Sequence, residues 1–437
     1  MTTSIEKLYT IYCQATGVST DTRQIKEGML FFALKGENFN GNQFADKALA
    51  AGAAYVVVDE IVNETHYWQN QDRYLQVEVV LTALQELASY RRKQFNIPFV
   101  AVCGSNGKTT TKELIHRALS VKYPTFATQG NLNNHIGVPL TLLAFPNDSE
   151  MVVVEMGANH IGETAELCKI TQPTHGVVTN IGLDHLEGFG SLEGVKIANG
   201  ELYEYLKDNN GVIFVNTTED FLASMTAHFP KTHRYTYPQA EDSFSLQNIE
   251  SDFFLTVQYQ SLPPITTQLF GSYNFSNVAT ALAMAHFWEV DMEKALKAIQ
   301  QYSPSNNRSQ VIHKEQKTII LDAYNANPSS MEKALQNFAE LPTQQPKIVI
   351  LGDMFELGEA SISEHERIGK LVAEAHFHTV ILFGEAMQHA LRNNPNAYYF
   401  TDKFSLHNWL GAQSFGESYW LIKGSRGVKL ETVLQFL

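Results

Sequence analysis

The sequence predicts an α/β protein whose chain is shared among domains built on parallel sheets. Three observations carry that prediction. Apolar runs such as Met151-Val152-Val153-Val154 lack the polar alternation of a half-exposed strand, so they read as strands covered on both faces. A glycine turn, Gly104-Ser105-Asn106-Gly107-Lys108-Thr109-Thr110, separates one such run from a helical stretch. From Arg308 onward four apolar runs alternate with helical stretches, which is the pattern of a doubly wound sheet.

Length and composition set bounds. At 437 residues the chain exceeds one ordinary core, and 44% hydrophobic with 18% charged residues describes a globular protein. A net charge of -14 argues against general nucleic-acid binding, which needs a basic face. Cys13, Cys103 and Cys168 form no metal or redox spacing and suit a reducing compartment. Met1 to Leu8 lacks a basic region followed by an apolar core, and no run is long enough to span a bilayer. A cytoplasmic protein without membrane insertion is expected.

The first segment, residues 1–92, reads as a small α/β unit. Strands are expected at Met29 to Leu34 and Ala54 to Asp59, with a helix from Phe44 to Ala51 between them. Ser19, Asp21 and Arg23 lie in a polar loop before the first strand, and Lys35 in a glycine-rich loop after it; Asp21 with Arg23 can hold a sugar or a diphosphate, or be merely solvated. A helix from Val80 to Gln94 closes the segment, and its basic end, Arg91-Arg92-Lys93, is assigned to the helix dipole.

The second segment, 93–305, begins with the strand Ile97 to Cys103 and the glycine turn. Strand, turn and helix in that order make a phosphate cradle: backbone N–H groups face the anion, Lys108 reaches its outer oxygens, and the Thr109 hydroxyl is placed for Mg2+. The first glycine of the general motif is missing, with Val102 in its place. An amide-rich turn follows, with Asn131, Asn133 and Asn134 before a helix over Leu140 to Leu143; such amides cap turns or read ligands rich in hydroxyls. Glu155 ends an apolar strand where ligands of parallel sheets sit, which makes it a candidate cation ligand beside Thr109. A strand from His175 to Gly182 leads to His185, a third candidate. Asn274 and Asn277 precede a helix expected at Val278 to Phe287, where Asn277 is placed to cap it or to read a base edge. Ser303 to Arg308 reads as an interdomain linker.

The third segment, 306–437, has strands at Thr318–Leu321, Ile348–Leu351, Val380–Phe383 and Tyr419–Ile422. Each run ends in polar or glycine residues: Asp322, Gly352-Asp353, Gly384-Glu385 and Lys423-Gly424-Ser425-Arg426. Such ends form a cleft at a topological switch point.

Taken together, these motifs resemble the ATP-dependent Mur ligase family over essentially the whole chain. The resemblance rests on Ser19 to Arg23 with Ala33 to Gly36, the Gly104 to Thr110 turn, Asn131 to Asn134 with Ile136 to Pro139, and Val154 to Ala158. It continues through Asn180 to Gly182, His185 to Glu187, Asp322 to Pro328, Gly352 to Met354 with Glu356 to Gly358, and Lys423 to Arg426. It implies three domains: an N-terminal one for a UDP-sugar, a central ATPase, and a C-terminal Rossmann-like one that closes over ATP and brings the amine substrate. The most similar members join D-alanyl-D-alanine to UDP-N-acetylmuramoyl-tripeptide, with an acyl phosphate on the way. By the same resemblance Gly104, Ser105, Asn106, Gly107, Lys108, Thr109, Thr110, Asn274, Asn277, Arg308, Asp322 and Tyr324 bind ATP. Thr109, Glu155 and His185 hold Mg2+, and Lys108, Glu155, His185 and Asn199 serve the chemistry. Ser19, Asp21, Arg23, Lys35, Asn131, Asn133, Asn134, Asn159 and His160 contact substrate, as do Asn325, Asn327, Lys423, Ser425 and Arg426. A monomer is expected.

One departure stands out. Family members often carry a carbamoylated lysine before a Gly-Glu-Leu-Tyr segment, and here that position is Asn199, with Lys196 one turn earlier as a substitute. Two other readings stand beside this one: another member of the same superfamily, such as a folylpolyglutamate synthetase or a ligase for a different amino acid, and, motivated by Asn199, a nucleotide-binding partner protein that has lost catalysis. The first 92 residues count against the folate enzyme, and retention of Lys108, Thr109, Glu155 and His185 counts against loss of catalysis.

Overall fold

Three mainly parallel sheets organise the chain in this computed structural model, which describes residues 2–230, 233–237, 244–251 and 253–437 and so leaves Met1 outside. The first sheet runs Val18–Ser19, Leu30–Phe32, Tyr55–Val58, Tyr74–Gln76, all parallel. Its apolar face is covered by the helix Val80–Arg92, in which Leu84, Leu87 and Ala88 are fully buried.

The second sheet is ordered Arg234–Tyr237, Val212–Asn216, His175–Val178, Phe99–Cys103, Met151–Glu155, Thr125–Ala127, again all parallel. The three runs read from the sequence are therefore its three adjacent central strands. Val102 lies opposite Glu155 and Val178 opposite Cys103, so the strands end level and the segments after them meet on one edge. The strand expected to reach Gly182 stops at Val178, which frees Thr179 to Gly182 to wrap the glycine turn. An antiparallel sheet of Leu246–Ile249, Phe254–Tyr259 and Ile265–Phe270, which the sequence did not indicate, packs onto this unit through Leu255, Val257 and Leu269.

In the third sheet the order is Gln310–Lys314, Lys317–Asp322, Ser418–Lys423, Lys347–Gly352, Thr379–Phe383, Tyr398–Phe400. Only the first pair is antiparallel. The chain-order strands Lys317–Asp322 and Lys347–Gly352 are separated by Ser418–Lys423, which gives the switch point anticipated above.

The first two units share one core, in which Leu8, Phe32 and Leu84 pack with Phe99, Leu142 and Phe145. Arg91 and Arg92 are part of that joint. Arg91 donates to the carbonyls of Leu142 and Phe145 at 2.7 and 2.6 Å, and Arg92 to those of Thr171 and Gln172 at 3.0 and 2.9 Å. Their guanidinium planes lie 3.9 Å from the Phe145 ring centroid and 3.8 Å from that of Phe99. The expectation that these charges serve their own helix dipole is thus corrected, because both are buried and spend their donors on the second unit.

His175 opens a central strand and packs against Phe287 and Trp288, and burial pulls its imidazole from 6.5 down to about 4. The folded value lies below the unfolded one, so the stability from keeping this ring neutral is present above pH 6.5 and is lost as pH falls through about 4. Acidification across that window is expected to withdraw on the order of 3 kcal/mol, and His175→Phe to flatten the dependence. Denaturant midpoints measured from pH 7 to 4 check this.

Candidate active site

The glycine turn can be nothing else at its two ends. Gly104 has φ +124°, and a Cβ there would lie 2.2 Å from the Thr179 hydroxyl; Gly107 has φ +77°, and its Cβ would meet the Asn277 amide oxygen at 2.6 Å. Helix starts at Lys108, earlier than the Thr111 read from the sequence, and no side chain caps it. Its first-turn N–H groups are therefore offered to an anion at the positive end of the dipole.

The loop is held from behind. Asn180 accepts from the Asn106 N–H at 3.0 Å and donates to the Asn106 carbonyl at 3.0 Å, and the Thr179 hydroxyl donates to the same carbonyl at 2.7 Å. The Ser105 hydroxyl donates to buried Asp184 at 2.8 Å. Burial pushes the Asp184 carboxyl up, against the pull of Lys108 and His185. Lys108 curls back to donate to the carbonyls of Gly104 and Ser105, the latter at 3.2 Å. Asp184 was not singled out in the sequence, and Asn180 only as part of the Asn180 to Gly182 motif.

Glu155 is 1% exposed at the end of its strand. Its carboxylate accepts from the Thr109 hydroxyl and from the Asn133 amide, each at 2.8 Å. Buried carboxylates need a positive partner or several donors, and here the donors are only a hydroxyl and an amide. Octahedral Mg2+ ligands at about 2.1 Å stand roughly 3 Å apart, so the Thr109 and Glu155 oxygens are spaced as two neighbouring ligands would be. The residues present thus fit a divalent cation beside a polyphosphate.

His185 takes a different position from the one expected. Its Nδ1 lies against the carboxylate of Glu356 from the third unit, and among the described residues no three His, Cys, Asp or Glu side chains cluster to hold a metal. The expected trio is therefore a Thr109–Glu155 pair plus a histidine engaged across the domain boundary. Asn199 is buried and donates its amide to the Val195 carbonyl at 2.9 Å. Lys196 does not share its surroundings: it pairs with Glu193 at 3.3 Å and lies 4.3 Å from the Phe221 ring centroid, in a cleft of about 670 Å3 that no glycine-turn residue lines. That corrects the idea that Lys196 can stand in for the residue at 199.

Several amides expected to read ligands are used by the protein itself. Asn277 lies inside the first turn of the helix Phe275–Phe287 rather than capping it; it accepts from Thr111 at 3.0 Å and donates to Asn274 at 2.9 Å. Asn274 donates to the Phe270 carbonyl at 2.8 Å. Asn134 precedes the helix Gly137–Ala144, and its side chain accepts from the N–H groups of Ile136 and Gly137. Asn133 positions Glu155, and Ser425 bridges backbone groups of Phe355 and Ala326. Asn131, Asn159 and His160 stay exposed, with the Asn159 N–H and the His160 ring on Glu163.

The third unit brings its own cluster. Buried Lys423 pairs with Asp322 at 2.5 Å, and Asp322 accepts from the Ser309 N–H at 3.0 Å. The Arg308 guanidinium lies 3.7 Å from the Tyr324 ring centroid, with Arg426 on the same ring at 5.8 Å. Asn325 turns its side chain onto the N–H of Ala326. Asn327 reaches the glycine turn, donating to the Asn106 side chain at 2.9 Å, and the Ser329 hydroxyl accepts from the Leu183 N–H at 2.8 Å. In the first unit, Asp21 grips Arg23, which holds its carboxyl down at about 2, while Lys35 pairs with Asp59 and Glu60; Ser19 is buried beneath this loop, its hydroxyl bonded to Asp21.

Comparison with known proteins matches all three units. Residues 14–92 match the Mur ligase family catalytic domain, 102–285 the Mur ligase middle domain, and 307–425 the Mur ligase glutamate ligase domain. A UDP-N-acetylmuramoyl-tripeptide–D-alanyl-D-alanine ligase of Bacillus subtilis is 32% identical, covering 96% of this chain and 93% of the relative. A MurF crystal structure from Acinetobacter baumannii superposes with a TM-score of 0.84 at 29% identity, covering 99% and 98% of the two chains. A MurF ligase from Thermotoga maritima, solved in complex with ADP, gives 0.82 at 25% identity and 97% of each.

Gly107→Ala tests the cradle without touching a charged group. The added methyl meets Asn277 and forces an unfavourable φ, so affinity for a non-hydrolysable ATP analogue is expected to fall at least about tenfold while circular dichroism is unchanged. Titration calorimetry on the full chain measures this.

Proposed function

The chain belongs to the Mur ligase family, and from that premise we propose that it adds D-alanyl-D-alanine to UDP-N-acetylmuramoyl-tripeptide at the expense of ATP, in peptidoglycan precursor synthesis. The observation that carries this reading at the level of the site is the uncapped helix N-terminus beside the Thr109–Glu155 oxygen pair, with Asn327 of another unit bonded to Asn106 of that turn and Ser329 to the neighbouring Leu183. A phosphoryl-transfer site and the domain that presents the second substrate are thereby in contact.

Residues 1–92 hold the UDP-sugar end, 93–305 bind ATP, and 306–437 bring the dipeptide. The tripeptide carboxylate attacks the terminal phosphorus of ATP, and ADP leaves. Lys108 exchanges the Gly104 and Ser105 carbonyls for phosphate oxygens, where its ammonium and the first-turn N–H groups stabilise charge as it spreads over the transferring group. A Mg2+ held by Thr109 and Glu155 supplies further neutralisation of phosphate oxygens. The dipeptide amine then attacks the acyl carbon of the mixed anhydride, loses a proton, and inorganic phosphate departs. Asp322, Lys423, Arg308, Tyr324 and Arg426 form a polar wall on the side from which the amine and the nucleotide ribose approach. The protein works as a cytoplasmic monomer.

Phosphate release by the purified protein is expected with ATP, Mg2+ and UDP-N-acetylmuramoyl-tripeptide only when D-alanyl-D-alanine is also present. Replacing the dipeptide with single amino acids should give no more than a few per cent of that rate. Release that ignores the dipeptide would overturn the acceptor, and silence in wild type with activity in Asn199→Lys would show a site disabled at that position.

A further inference from the structure

The turn Ser272–Asn274, which precedes the helix Phe275–Phe287, is held from two sides. On the side of the phosphate loop, Asn274 accepts from Asn277 at 2.9 Å, and Asn277 accepts from the Thr111 hydroxyl at 3.0 Å. On the other side the third unit reaches the turn twice. Asn337 accepts from the Ser272 N–H at 2.8 Å, and the hydroxyls of Tyr273 and Ser309 share a hydrogen bond at 2.9 Å. Burial, and after it the negative charge of Asp322, push the Tyr273 hydroxyl up, so at neutral pH it keeps its proton and can serve that bond.

Ser309 follows the interdomain linker, and this stretch of backbone is strained. Asn306, Asn307 and Ser309 have φ of +59°, +59° and +48°, in the left-handed region that residues with a Cβ rarely adopt. Three such residues in four positions persist only where their surroundings fix them. The Asn307 carbonyl accepts from the Tyr324 N–H at 3.1 Å, and the Arg308 guanidinium covers the Tyr324 ring. Ser309 is tied to both units: its N–H donates to Asp322 of the third at 3.0 Å, and its hydroxyl meets Tyr273 of the second. Asp322 is held in turn by buried Lys423.

We propose that Tyr273 is a positioning residue for nucleotide binding: its hydroxyl pins Ser309, and through Ser309 it sets where Arg308 and Asp322 stand relative to the glycine turn. This rests on the ligase reading above, in which Arg308 and Asp322 line the approach of the nucleotide. One short turn thereby fixes both halves of the site, the phosphate loop through Asn274 and Asn277 and the wall of the third unit through Tyr273.

The test measures the affinity of the full chain for a non-hydrolysable ATP analogue by titration calorimetry. Tyr273→Phe removes one oxygen and keeps the ring, and it is expected to weaken the analogue about three- to tenfold, the worth of one hydrogen bond. Ser309→Ala should weaken it by the same factor and the double variant no further, because the two hydroxyls act through a single bond. The Michaelis constant for ATP should rise in step, while that for UDP-N-acetylmuramoyl-tripeptide stays at the wild-type value. A merely structural bond would lower the melting temperatures of the variants without moving their affinity for the analogue, and that result overturns the proposal. Losses that add in the double variant overturn it as well. A wild type that binds the analogue no more tightly than the variants do overturns the positioning role and leaves the ligase reading standing; one that does not bind the analogue removes both.

Discussion

Glu155 is a carboxylate with almost no access to water, held by one hydroxyl and one amide at the end of a strand buried on both faces. An arrangement so short of positive charge is stable only beside something that supplies it, and the surrounding architecture brings that supply to one place. Parallel registry ends three strands at the same level, the glycine turn follows one of them, and an uncapped helix begins where Glu155 points. Anion and cation sites are then neighbours by construction. Phosphoryl transfer needs that adjacency, since charge on the moving group must be met at fixed distances with little rearrangement.

The units are joined in two different ways. Between the first and second there is continuous apolar packing, reinforced by two buried arginines whose donors all end on protein carbonyls or, for one, on an asparagine. Opening that joint would expose apolar surface and strand two desolvated charges. The third unit meets the second through polar contacts, Asn327 with Asn106, Ser329 with Leu183, Glu356 with His185 and Glu187, Ser272 with Asn337 and Tyr273 with Ser309, and through apolar packing of Phe253, Phe270 and Leu186 against the third unit's core. The polar bonds can be exchanged for water at small cost, whereas parting the apolar contact would expose Phe253 and Phe270.

What the sequence discloses and what it hides follow from range. The central strands, the glycine turn and the Thr109–Glu155 pairing were legible because each is a local pattern or lies at a strand end whose position the pattern fixes. Arg91 and Arg92 were misread because a basic last turn looks the same whether its partners are the helix's own carbonyls or those of another unit about fifty to eighty residues away. Asn134 and Asn277 were read as turn caps or ligand readers and Asn274 as a ligand residue by resemblance; their bonds to backbone groups, to Thr111 and to each other are not revealed by composition alone. Glu356 lay in a recognised motif, yet its contact with His185 exists only in the tertiary arrangement. The antiparallel sheet from Leu246 to Phe270 went unnoticed because its short strands carry mixed polar residues and no turn signal strong enough to mark a hairpin.

The shared core of the first two units also bears on modularity. Leu84, Leu87 and Ala88 on one side and Phe99, Leu142 and Phe145 on the other are complementary surfaces that cover each other. A chimera that exchanged residues 1–92 alone would have to match that surface side chain by side chain, and one that exchanged the third unit would have to reproduce the seat of Phe253 and Phe270 as well as its polar contacts. Recombination among relatives is thus expected to succeed where the surface that a unit packs against travels with it.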